Sequence, residues 1–117
     1  MNKITSVCVY SASSTKIDSC YFKAAEGLGK LLADRHIRLI NGAGSLGLMC
    51  TIIDAVLQNG GEATGVIPHF MIEQDWHHKG MTKLVEVESM HERKQLMAQL
   101  SDGIIALPGG CGTLEEL

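Results

Sequence analysis

Three times in this chain a short run of apolar, largely β-branched residues leads into a loop of glycine or serine, and a helical pattern follows. This arrangement constrains the fold more than any other feature. Residues 4–10 lead into Ser11-Ala12-Ser13-Ser14, and residues 37–40 lead into Asn41 and Gly42-Ala43-Gly44-Ser45-Leu46-Gly47. Residues 103–107 lead into Pro108-Gly109-Gly110-Cys111-Gly112-Thr113. Two further strands are expected at 63–67, stopped by Pro68, and at 83–87. Between them lie helical patterns. Asp18 caps one that carries Tyr21, Phe22, Ala25, Leu28, Leu31 and Leu32. Residues 48–58 form a nearly all-apolar helix closed by Asn59-Gly60-Gly61. Ser89-Met90-His91-Glu92 fits a capping box and opens a helix with Leu96, Met97 and Leu100 on one face. Residues 69–82 read as an irregular excursion containing Trp76, His77 and His78. Alternation of strand and helix implies right-handed βαβ units: an α/β fold with a doubly wound, mostly parallel sheet and helices on both faces. Such sheets bind ligands beyond the carboxyl ends of their strands, and all three loops leave strands at that rim.

The chain has 117 residues, enough for a single domain, and 45% are hydrophobic, so a packed core is expected. A net charge of −3, with no run of Lys or Arg, leaves no electrostatic footprint for nucleic acid. Cys8, Cys20, Cys50 and Cys111 show no C-x-x-C spacing and are expected to be reduced thiols. Neither a signal-peptide pattern nor an apolar run of ~18 residues is present. The expectation is therefore a soluble cytoplasmic protein that does not enter a membrane. Residues 113–117 begin a helix of barely one turn, unstable alone, and suggest a truncated or cleaved form of something longer.

The loops carry the chemistry. Gly42 to Gly47 satisfies G-x-G-x-x-G, and Glu62 lies about 20 residues on, as in a dinucleotide fingerprint. The context disagrees: the loop follows the second strand, and Glu62 precedes the third where a ribose-binding acid belongs at a strand's far end. A tight turn at Gly42 and Gly44 that lets a phosphate or ribose approach the backbone, or a purely structural turn, remains. Gly109, Gly110, Gly112 and Thr113 open a helix, where unpaired amides and the helix dipole favour an anion. The loop lacks the lysine of a P-loop, so ATP hydrolysis is not implied. Thr113-x-x-Glu116 is a capping box, and a carboxylate there needs no function. The same carboxylate stays ionised at a helix N-terminus, and near a sugar phosphate it can stabilise an oxocarbenium ion or orient water. Arg93-Lys94 is the adjacent basic pair, either a solvated helix face or part of a site. His77-His78 has no Asp, Cys or His at ligand spacing in the sequence, so no metal is expected.

Taken together these residues resemble the LONELY GUY family of phosphoribohydrolases, often labelled lysine decarboxylases. Residues 108–116 meet P-G-G-x-G-T-x-x-E in full, and Met90, Arg93 and Lys94 meet M-x-x-R-K. Gly42, Gly44, Gly47, Leu48 and Met49 follow G-G-G-x-x-G-L-M-G, while Ser13 and Ser14 match an early serine loop. Ala12, Ala43 and Cys50 replace glycines of the pattern. An alanine tolerates positive φ poorly, so a change of loop shape is expected at Ala43.

The resemblance implies a Rossmann-like fold without a dinucleotide or other cofactor, a homodimer, and hydrolysis of nucleoside 5′-monophosphates to free base and ribose 5-phosphate. It implies a catalytic pair, Arg93 and Glu116, and phosphate-binding positions at Gly110, Gly112 and Thr113. Ser13, Gly42, Gly44, Met90, Lys94 and Gly109 complete the expected site. An acidic residue near the base falls on Asp75, where the family usually has Glu. Family members continue well beyond residue 117, so the chain is expected to lack its C-terminal helices and last strands. Two rivals stand beside this reading. A non-catalytic nucleotide or cofactor carrier of the same fold would bind without cleaving. Amino-acid decarboxylation would need a Schiff-base lysine in a suitable setting, and no lysine here has one.

Overall fold

The computed structural model describes residues 4–10, 19–45 and 47–106. Five strands form one sheet: β1 (Ser6–Tyr10), β2 (Arg38–Asn41), β3 (Ala63–Pro68), β4 (Lys83–Val87) and β5 (Gly103–Ala106), in the order β4-β3-β2-β1-β5. All four pairings are parallel, for example Cys8 with Ile40 and Tyr10 with Ala106. The helices are α1 (Ser19–Asp34), α2 (Gly47–Gln58), α3 (His69–Glu73) and α4 (Met90–Leu100).

Side chains alternate across a strand, and the two cores divide by that alternation. Val7, Val9 and Leu39 pack with Ala25 and Leu32 of α1 and with Leu48, Ile52, Ile53 and Val56 of α2. On the opposite face Cys8, Tyr10, Ile40 and Val66 pack with Met97 of α4. Helices therefore cover both faces, as the alternation predicts. Leu100, expected on the inward face of α4, is exposed, while Leu96 is partly buried against that core. Among the described residues, no helix is long and apolar enough to cross a membrane.

The expected excursion at 69–82 contains one element that the sequence reading lacks. Pro68 ends β3 at φ −65°, ψ 146° and serves as the N-cap of α3, without a side-chain cap. His69 instead bridges two carboxylates: its Nε2 is 2.7 Å from Glu73 Oε1, and its Nδ1 meets Glu86 of β4. At α4 the expected cap forms, with Ser89 Oγ accepting from the Glu92 amide. The Glu92 carboxylate reaches the Glu88 amide rather than that of Ser89.

A candidate strand-end site

β2 ends on Asn41, which is fully buried. Its Oδ1 accepts the Ala43 amide at 2.9 Å and so bends the chain out of the strand. Ala43 then takes φ 60°, a left-handed conformation held despite its Cβ. The Gly44 amide points at the Met49 sulfur, 2.9 Å away. Both amides are thus turned into the protein. The excursion is stitched along the loop: the His78 amide donates to Ala43 O, His77 bridges Gly44, and Ser45 Oγ donates to Trp76 O.

Arg93 rises from the first turn of α4 beneath this loop and is only 9% exposed. Its Nη2 donates to Gly42 O at 2.5 Å and its Nε to Val66 O at 2.9 Å, so one guanidinium joins the ends of β2 and β3. Nη1 lies 3.6 Å from the Met90 sulfur and 4.0 Å from that of Met71. Gly42 is glycine for a steric reason, because a Cβ there would stand 2.0 Å from Arg93 Nη2. Two pieces of the expected site, 51 residues apart in sequence, therefore meet.

Met90, beside Arg93, and Lys94 are both exposed. Asp75 stands exposed at φ 63°, and its hydrogen bond and ion pair with Lys79 hold its carboxyl below the usual range. Such a carboxylate is a poor proton donor near neutral pH. Glu62 lies at the start of β3, paired with Arg38 at 3.2 Å, a strand's length from the Gly42 loop. Glu62 therefore does not serve the loop as the acidic partner of a dinucleotide fingerprint. Ser13, Gly109, Gly110, Gly112, Thr113 and Glu116 lie outside the described residues. The strands preceding their loops end side by side, Tyr10 in register with Ala106. Chain order reverses between these two strands, at the position where open sheets form their binding crevice.

Sequence reasoning did not single out Asn41 or Met71. Among the described residues, Asn41 Nδ2 has no hydrogen-bond partner. Nor did it bring His78 together with Cys50 and Asp54, which the fold does.

A family model described as possible lysine decarboxylase matches residues 49–117. A cytokinin riboside 5′-monophosphate phosphoribohydrolase of Arabidopsis thaliana is 43% identical over 95% of this chain and 49% of its own length. The chain belongs to the LONELY GUY family. A family member of the same name from Rhodococcoides fascians is 44% identical over 95% of this chain and 57% of its own length. A probable one from Oryza sativa subsp. japonica is 46% identical over 95% and 49% respectively. The chain thus spans about half the length of the curated relatives it matches. Among solved structures, the molybdenum cofactor carrier protein of Chlamydomonas reinhardtii superposes with a TM-score of 0.81 at 23% identity, over 97% of this chain and 68% of that one. The molybdenum cofactor binding protein of Rippkaea orientalis gives 0.83 at 20% identity over the same shares. At these identities the likeness bears on the fold, which it supports as Rossmann-like α/β.

Proposed function

We propose that the protein hydrolyses the N-glycosidic bond of nucleoside 5′-monophosphates, AMP or an N6-modified cytokinin-type AMP, to free base and ribose 5-phosphate. One observation carries this reading beyond the names of the relatives. Arg93 of the M-x-x-R-K element is buried at the strand-end rim against Gly42 of the glycine loop. A guanidinium fixed at that rim is suited to an anionic oxygen. Arg93 then orients a phosphate or ribose hydroxyl and offsets the like charges of phosphate and Glu116. Gly109, Gly110, Gly112 and Thr113 anchor the phosphate, and that remote binding energy positions the reacting carbon. Glu116 stabilises the developing positive charge on the ribose and helps to activate water. Ser13, Gly42, Gly44, Met90 and Lys94 complete the binding surface. Asp75, kept ionised by Lys79, contacts the base as an acceptor, and the leaving base takes its proton from water. We place the enzyme in the cytoplasm, acting as a homodimer without a cofactor.

The test is incubation of the purified protein with AMP and with its N6-isopentenyl analogue, followed by chromatography for free base. Base should be released, and Glu116→Gln should keep nucleotide binding while losing turnover by about a hundredfold or more. Release that persists in the variant would remove Glu116 from the mechanism. Binding of nucleotide without any release in the unaltered protein would favour a carrier.

A further inference from the structure

Beside the glycine loop the fold gathers three metal-ligand side chains that the proposed hydrolysis does not use. Cys50 and Asp54 are four residues apart on α2 and so share one helix face. His78 comes from the excursion, its side chain 13% exposed, with Nε2 2.7 Å from Asp54 Oδ1. Cys50 Sγ lies 3.5 Å from Asp54 Oδ2. One ligand atom from each residue falls within 4.8 Å of the others. We propose that Cys50, Asp54 and His78 bind a divalent cation of the zinc class, which fastens the excursion to α2 beside the Gly42–Ser45 loop.

The donor set decides the class of ion. Thiolate, imidazole and carboxylate together suit a borderline-soft cation, whereas calcium and magnesium take oxygen ligands. Around tetrahedral zinc, neighbouring ligand atoms stand roughly 3.3–3.7 Å apart, so the three groups need only small side-chain shifts. Three protein ligands leave a fourth position for water. The thiol also lacks a packing explanation: Leu48, Met49, Ile52 and Ile53 face the core, while Cys50 turns to a carboxylate. Cys50 stands where the family pattern has glycine, so the site belongs to this chain rather than to the pattern.

Proton bookkeeping follows from the hydrogen bonds. Burial and then Asp54 push the Cys50 thiol up to about 11, so it is protonated until a cation arrives and releases that proton to solvent. His78 Nδ1 accepts the Gly80 amide at 2.9 Å, so Nε2 carries the hydrogen donated to Asp54. Ligation through Nε2 moves this proton to Nδ1 and breaks the bond from Gly80. No oxidation or reduction takes place. The mechanical consequence lies next door, because the His78 amide holds Ala43 O at 2.8 Å.

Cobalt(II) is the probe, since it reports thiolate ligation optically. Titration of the metal-free protein should saturate at one equivalent with a thiolate-to-cobalt charge-transfer band, and zinc should displace it. Cys50→Ser should abolish the band, and Asp54→Asn, at a half-exposed position, should weaken binding about tenfold or more. Cys20→Ser should leave the titration unchanged. In ¹⁵N-edited spectra the Gly80 amide should shift on zinc addition. Circular dichroism confirms that each variant is folded. A band that survives Cys50→Ser, or a folded protein that shows no saturable binding, would overturn the site.

Discussion

Arg93 is the residue on which the strand-end rim turns, and its surroundings make its contribution separable. A cation this buried is tolerated because two of its donors meet main-chain carbonyls, Gly42 O and Val66 O. Gly42→Ala inserts a methyl group where the guanidinium lies, and the guanidinium must leave, abandoning both carbonyls. The expected cost is about 1–3 kcal/mol in urea unfolding. In an Arg93→Ala background the same substitution meets no guanidinium, and most of its cost should vanish. Equal costs in the two backgrounds would mean that the steric argument is wrong. The sequence showed both residues as candidates, one by its loop and one by its helix start. Their meeting was not readable, because it depends on α4 crossing the face of the sheet. Cys50 and Asp54 show the same limit: their spacing is visible on a helix, but the third partner, His78, is 24 residues away from Asp54.

At the scale of elements, what the sequence revealed was periodicity, and what it concealed was close approach. All five strands were legible, because short apolar runs with β-branched residues were followed within two residues by Gly, Ser or Pro. The helix α3 was not, since it has five residues and a proline N-cap without a side-chain acceptor. Its support comes from Glu86, on a different element. The loop after β2 is a matter of approach. Ala43 holds a left-handed φ, and a Cβ on Gly65 of β3 would lie 2.4 Å from its Cβ and 3.2 Å from its Cα. The loop and strand are thus packed backbone to backbone, as a bare pattern of glycines does not reveal. Gly65→Ala should therefore destabilise the fold by about 1–3 kcal/mol. Ala43→Gly removes the opposing methyl and should recover most of that loss in the double variant. If the two changes simply add, the contact between β3 and the loop is not what demands glycine at 65.

For the whole molecule the demanding step is the return of the chain across the sheet, which carries β5 from beyond β4 to the far side of β1. A long-range pairing of this kind must be fastened at its start, and Asp102 does so. Its Oδ2 accepts the Thr5 amide at 2.8 Å, the Thr5 hydroxyl at 3.0 Å and the Ser6 amide at 3.1 Å. Its own amide donates back to Ser6 O at 2.9 Å. These bonds, the Thr5 amide first, favour the anion and hold the carboxyl below the usual range. The sign follows from linkage. A carboxyl whose folded value is depressed contributes stability that is present above its unfolded value and is lost as pH falls through the folded one. Asp102→Ala should therefore unfold at lower urea than the unaltered protein at neutral pH. The gap should narrow as pH falls below the ordinary carboxylate range, where the wild-type side chain also loses its charge. A gap of constant size down to that acidity would show that the link between β1 and β5 does not depend on ionisation. Because Asp102 precedes β5 at the end opposite the rim, base release by the folded variant at neutral pH should be unchanged. The clamp and the site are then independent, joined only by the strands between them.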